Sequence, residues 1–215
     1  MIEMTDQTPD QATEFMSALI ADAPRFKVEI NAATATLLSD YYAVMTVWNP
    51  RLHLVAPCTA SEFAVRHVIE SLAALPHIPP DSHVIDIGSG GGLPIIPCLV
   101  ARPDITATLF ESSPKKTVFL REALRRVNRY HSASVVAERF ERAKPPAGAG
   151  VVTCRALDRF GKMFDEIVAW SPPDSTLLLF GGYALREQLE RAALDYTPMH
   201  LPDSAQRFLF VVRRD

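Results

Sequence analysis

The stretch Val84-Ile-Asp-Ile-Gly-Ser-Gly-Gly-Gly-Leu-Pro94 runs from a β-branched segment directly into a glycine-rich turn and then a proline. In an open α/β sheet, a ligand settles where the C-terminal end of a strand turns into the next helix, and Gly88, Gly90 and Gly92 fall in that turn. Glycine there permits positive φ and lets backbone amides come closer to a ligand than a Cβ would allow. The dinucleotide fingerprint requires a further glycine where Leu93 stands, and a phosphate loop requires Gly-Lys-Ser/Thr, which the stretch lacks. What remains is Asp86 ahead of the turn and Glu111 at the end of the next apolar run. A carboxylate at that second position can accept both hydroxyls of a ribose. The combination suits an adenosine carrying an amino-acid tail. The plainer reading of Asp86 is a cap on backbone amides of the turn.

Outward from this turn, short β-branched runs alternate with helical patterns, the sign of parallel strands joined by crossover helices. Strands are expected at 84–87, 106–111, 133–137, 150–154 and 175–180, and helices at about 114–128, 158–170 and 184–194. The apolar run 207–212 reads as a final, central strand. Ahead of the core, Leu37, Leu38, Tyr41, Val44, Met45 and Trp48 recur at helical spacing and predict an amphipathic helix over 32–48. A second helix over 62–75 places Val65, Val68, Ile69 and Leu72 on one face and leaves Arg66, His67 and Glu70 off it. The organisation expected is an N-terminal helical extension over 1–60 and an α/β domain over 61–215.

A chain of 215 residues with 48% apolar and 22% charged residues can bury a large core and has no bias towards disorder. Cys58, Cys98 and Cys154, odd in number and in apolar surroundings, with an N-terminus unlike a signal peptide, fit the reducing cytoplasm. No apolar run reaches the roughly 18 to 20 residues a membrane helix needs, so no membrane role is expected. The net charge of −3 argues against indiscriminate nucleic-acid binding but leaves room for a local basic patch.

Gly88-Ser-Gly-Gly-Gly-Leu-Pro-Ile-Ile-Pro97 resembles the cofactor loop of the bacterial small-subunit (16S) ribosomal RNA guanine-N7 methyltransferases, also called glucose-inhibited division protein B. The likeness continues in Trp48-Asn49 with Leu52-His53-Leu54, in Arg66-His67-Val-Ile-Glu70-Ser71-Leu72, in Ser113-Pro-Lys-Lys-Thr-Val-Phe-Leu-Arg121, in Arg139-Phe-Glu141 and in Arg155-Ala156, and spans about 37–212. It implies a class I S-adenosylmethionine methyltransferase fold, a Rossmann-like doubly wound sheet whose last strand is antiparallel. It further implies that Gly88 and Leu93 line the S-adenosyl-L-methionine site, that Phe140 and Glu141 meet the adenine, and that Arg155 closes the site. The plainer reading of Arg155 is an ion pair with Glu111 or Asp86. The sequence departs from the family at His53, Val55, Glu70 and Ile95, and Leu179-Phe-Gly-Gly182 ends without the family's lysine.

The activity implied is methyl transfer to N7 of a guanine in small-subunit ribosomal RNA or the 30S particle. That nitrogen carries an in-plane lone pair and no proton, so direct displacement needs no general base and alignment suffices. Arg66, His67, Lys115 and Lys116 are the candidate RNA contacts, with Arg121, Arg125, Arg126 and Arg129 either joining them or forming a solvated face. His67 has no partner at ligand spacing, and no metal is expected. A catalytically silent RNA-binding or assembly protein on the same fold, or a methyltransferase for another RNA or a small molecule, are the competing readings.

Overall fold

The computed structural model describes residues 9–155 and 160–214. Seven strands form one sheet: β1 His83–Ile87, β2 Thr106–Phe110, β3 Ala133–Val136, β4 Ala149–Arg155, β5 Thr176–Gly181, β6 Tyr196–His200 and β7 Phe208–Arg213, in the order β3-β2-β1-β4-β5-β7-β6. Strands β1 to β5 pair in parallel, and β7 runs antiparallel to both β5 and β6. This is the doubly wound class I methyltransferase sheet, with the final strand central and antiparallel. Residues alternate strictly between its faces. Val84, Leu178, Phe180, Leu209 and Val211 enter one apolar cluster, whereas Ile85, Ile87, Leu177, Leu179, Phe210 and Val212 enter the other.

β6 was not among the expected strands. Its burial is patchy and it contains Pro198, which a strand tolerates only at an edge, where the missing N–H costs no internal ladder bond. The helix expected over 158–170 is described from Phe160 to Trp170; the start of that expectation, with Ala156, lies outside the described residues.

The first helices are α1 Pro9–Asp22 and α2 Ala32–Leu52. Asn31 caps α2 by accepting from the Thr34 amide at 2.8 Å, and His53 ends it at φ 48°. Histidine is among the residues that tolerate this left-handed conformation. Helix α3, 60–72, begins at a reciprocal cap: Thr59 Oγ1 accepts from the Glu62 amide and Glu62 Oε2 accepts from the Thr59 amide.

Within α3, residues Ala64–Ile69 form a π-turn. Wider than an α-turn, it rotates the following residues about the axis, and Glu70, expected off the apolar face, is fully buried. That corrects the expectation for Glu70; the period of 3.6 on which it rested does not hold across 64–69. The crossover helices follow as α4 Ile95–Ala101, α5 Pro114–Arg126, α6 Phe160–Trp170 and α7 Tyr183–Arg191. Pro94 caps α4, and Pro97 sits in its first turn, where an amide has no helical acceptor to lose.

Helices α1 and α2 share their apolar cluster with the sheet. Phe15, Leu19, Leu38, Tyr41 and Met45 pack in the same body as Val84, Leu109, Phe119 and Leu120. Among the described residues, no helix is long and apolar enough to cross a membrane.

Candidate cofactor cleft and its arginine end

The loop after β1 is held by its own backbone and by the next strand. Gly88 and Ser89 donate their amides to the Phe110 carbonyl, both at 3.0 Å, and Gly92 donates to Ser89 at 2.6 Å. The Gly90 amide donates to Glu111 Oε2 at 2.9 Å, while Glu111 Oε1 accepts from the Ser113 amide at 2.7 Å. Gly88, Gly90 and Gly92 have φ of 67°, 48° and 78°. At Gly92 a Cβ would also stand 2.3 Å from Ile96 Cδ1, so backbone and packing both demand glycine there. The amides of Gly91 and Leu93 donate to no described residue, and both residues line an adjoining cleft. Free amides on a glycine turn beside a carboxylate form a ready receptor for a small polar ligand.

That cleft has a volume of about 910 Å³, enough for a nucleoside with a tail and a second, flat group. It brings together Gly88, Gly90, Leu93, Glu111, Phe140, Glu141, Arg155, Arg66, His67 and Lys116, residues drawn from 66 to 155 in the sequence. Three of the expected site residues do not line it. Gly92 faces Ile96 instead, and Lys115 is exposed on α5 outside the cleft. Asp86 is buried under the loop, 1% exposed, with Oδ1 accepting from Thr153 Oγ1 at 2.6 Å and Oδ2 without a partner among the described residues. Burial is the chief reason its pKa is pushed up to about 7.

The opposite end of the cleft is built on Glu70. Its Oε2 accepts from Arg155 at 3.0 Å, and its Oε1 accepts from Arg207 through Nε at 3.0 Å and Nη2 at 2.7 Å. Arg155, with its side chain 10% exposed, also donates to Ser71 Oγ at 3.1 Å and to the Arg66 carbonyl at 2.5 Å, and its guanidinium lies 5.2 Å from the centre of the Phe180 ring. Ser71 Oγ in turn donates to the His67 carbonyl. One stretch of α3 thus forms a socket for Arg155, from the Arg66 carbonyl, Glu70 and Ser71, with Ser71 held in turn by the His67 carbonyl. The ion pair of Arg155 is with Glu70, not with Glu111 or Asp86. Burial lowers the Arg155 pKa and Glu70 opposes that effect. Burial, aided by Arg155, Arg66 and Arg207, takes His67 down to about 3, so its imidazole is neutral.

The basic residues of α5 separate into two groups. Arg121 donates to the Val135 carbonyl at 3.2 Å and Arg126 pairs with Asp40 at 2.7 Å, both tying α5 to neighbouring elements. Lys116 faces the cleft, and Arg66 stands exposed at its rim with no side-chain partner among the described residues. Among the described residues, no cluster of three His, Cys, Asp or Glu side chains could hold a metal ion.

Beyond the expected site residues, Arg207, Met163, Arg139 of the Arg139-Phe-Glu141 segment and the wall formed by 53–57 also line the cleft. Arg207 begins the expected last strand, and nothing local marks it. For 53–57, the resemblance at Leu52-His53-Leu54 was a signal, although it did not say that the segment would border a ligand.

Residues 34–206 match the family model described as rRNA small subunit methyltransferase G. The chain is similar to the Ribosomal RNA small subunit methyltransferase G of Xanthomonas euvesicatoria pv. vesicatoria, 34% identical over 86% of this chain and 89% of that one. It is similar to the protein of the same name from Neisseria meningitidis serogroup A, 36% identical over 73% and 71%. Among solved structures, an RNA methyltransferase from Salinibacter ruber in complex with S-adenosyl-L-homocysteine superposes with a TM-score of 0.53 over 68% of this chain and 89% of that one at 16% identity. An O-methyltransferase family protein from Burkholderia thailandensis superposes at 0.58 over 98% and 74% at 12% identity. At these identities, the structural likeness speaks for the fold.

Proposed function

The chain belongs to the rRNA small subunit methyltransferase G family and is an S-adenosylmethionine-dependent ribosomal RNA methyltransferase; we propose that its acceptor is N7 of a guanine in small-subunit ribosomal RNA. The observation that carries the proposal is the cleft itself, which joins a ribose-sized carboxylate and two free amides at one end to an immobilised arginine at the other.

The residues present fit the cofactor. The free Gly91 and Leu93 amides and the Glu111 carboxylate supply donors and an acceptor of the right kind, with Gly88 and Gly90 keeping the floor open. Phe140 and Glu141 border the region assigned to adenine, and Leu93 provides an apolar contact. Asp86 serves the site from beneath the loop. When bound, S-adenosylmethionine supplies a methyl group on a sulfonium, an electrophile that needs no activation by the protein.

What the chain must do is hold a planar purine with N7 aimed along the axis of the breaking bond and keep water out. An N7 lone pair needs no proton removed, so no catalytic base enters the mechanism. Arg155, fixed on three sides, orients the acceptor and acts as a positional cation; its guanidinium does not transfer a proton. Arg66, His67, Lys116 and Lys115 contact the RNA, the three cations through phosphates and neutral His67 through a hydrogen bond or a base edge. The partner is then small-subunit ribosomal RNA or the 30S particle, and the place of action the cytoplasm.

The test is methyl transfer from labelled cofactor to small-subunit RNA and to 30S particles that lack the modification, with the product mapped. One new N7-methylguanosine supports the reading. Methylation at another atom, or in another RNA only, rejects it.

A further inference from the structure

We propose that Tyr41 is a positioning residue for the cofactor loop: its hydroxyl, carried by α2, holds the Gly91 carbonyl and fixes the peptide around which the free Gly91 and Leu93 amides are set. The inference rests on the reading of that loop as the cofactor site.

Tyr41 is fully buried and its Oη donates to the Gly91 carbonyl at 2.5 Å, across 50 residues of sequence. The same peptide is tied at its other end, because the Gly92 amide donates to the Ser89 carbonyl at 2.6 Å. A peptide unit is rigid and planar, so fixing its oxygen and its nitrogen fixes the plane. The peptides immediately before and after that plane carry the Gly91 and Leu93 amides, which donate to no described residue. Glycine-rich turns otherwise have many accessible conformations, and a loop that must be ordered on binding weakens the ligand's affinity by that ordering cost. A bond from outside the loop removes part of the cost in advance.

The surroundings suit the role. A Cβ on Gly91 would stand 3.2 Å from Met45 Cε and 3.5 Å from Leu54 Cβ, so α2 and the segment after it already pack on the loop. Asn49, one turn before the end of α2, accepts from the Val55 amide at 3.0 Å and so shapes the 53–57 wall of the same cleft. One helix therefore places both the floor and a wall. Burial pushes the Tyr41 pKa well up, which keeps the hydroxyl protonated and able to donate throughout the range in which the protein is folded. No other described side chain donates to the Gly91 carbonyl.

The experiment compares wild type, Tyr41→Phe and Tyr42→Phe by calorimetric Kd for S-adenosylmethionine, melting temperature, and kcat and KM for RNA at saturating cofactor. Tyr42 is the control because its ring packs on Phe15 at 4.7 Å and on Phe63 at 5.0 Å, and among the described residues its hydroxyl makes no hydrogen bond to the loop. The expected result for Tyr41→Phe is a cofactor Kd weaker by roughly three- to tenfold, the fold-change of one lost hydrogen bond, with kcat at saturation and KM for RNA unchanged. Tyr42→Phe keeps the wild-type Kd. An unchanged Kd in Tyr41→Phe overturns the proposal, as does a fall in melting temperature and kcat without a change in Kd. Failure of the wild type to bind the cofactor at all would instead remove the reading of the loop. Should Tyr41→Phe not fold, amide exchange in the wild type decides: slow exchange at Gly92 without cofactor supports a pinned peptide, and rapid exchange overturns it.

Discussion

The two ends of the cleft are made of different material. The loop end is mainly backbone: glycines with positive φ, amides given to the Ser89 and Phe110 carbonyls, and one carboxylate, Glu111, 21 residues from the Gly90 amide it accepts. The arginine end is side chain throughout: Glu70 meets Arg155 and Arg207 across 85 and 137 residues of sequence. The first is set mainly within one strand–turn–strand stretch, 86–113, with a single side-chain tie from outside it, Tyr41. The second exists only once α3, β4 and β7 are docked, so its failure should be cooperative where failure at the loop is local.

The sharpest way to break the comparison is Glu70→Leu, which leaves Arg155 buried without its counter-charge. Removing one partner of a buried pair costs about 3–5 kcal/mol. Denaturant unfolding should register a loss of that size, with Arg155 and Arg207 both released; a loss under about 1 kcal/mol would show that the socket does not depend on Glu70. Next comes Gly92→Ala, which puts a Cβ against Ile96 at a φ of 78°. About 1–3 kcal/mol of stability should go, together with most cofactor affinity in calorimetry, while RNA affinity is kept.

The third test uses pH. Asp86 has its pKa raised from 3.8 to about 7, so the folded state holds a proton that the unfolded state releases. Its contribution to stability is fully present below about pH 4 and lost as pH rises through 7. His67, lowered from 6.5 to about 3, has the opposite slope, stabilising above pH 6.5 and failing as pH falls towards 3. Because the His67 contribution opposes that of Asp86 below pH 6.5, the melting temperature of Asp86→Asn should rise relative to the wild type as pH goes from 5 to 7; parallel curves would place the Asp86 pKa elsewhere.

The smallest effect belongs to single cations at the rim. Lys116→Ala should weaken RNA binding by roughly three- to tenfold and reduce its salt dependence by about one unit of slope, with cofactor Kd unchanged. Lys115→Ala, outside the cleft, should do less; the reverse order would show that RNA runs along α5 and not over the cleft mouth.

Much of the fold was legible because its signals are local. Short β-branched runs alternating with helical patterns mark five parallel strands and the central last one, and apolar spacing marks the helices between them. β6 escaped because an edge strand with Pro198 carries little of the pattern that marks a buried one. Glu70 escaped because a π-turn breaks the period used to assign its face. In the site, Gly88, Leu93, Glu111, Phe140, Glu141 and Arg155 were readable and do border the cleft, while Asp86, Gly92 and Lys115 support or flank it. Arg207 and the Tyr41 hydroxyl left no local trace.

The sequence by itself determined the turn at 88–92, the carboxylate that follows it and the family to which both point, since these depend on backbone conformations that neighbouring residues dictate. Only the tertiary structure decided what holds that turn and what closes the far end of the cleft. A hydrogen bond from Tyr41 or a salt bridge to Glu70 depends on the meeting of segments distant in the chain, and the periodicity of either segment alone says nothing about the other.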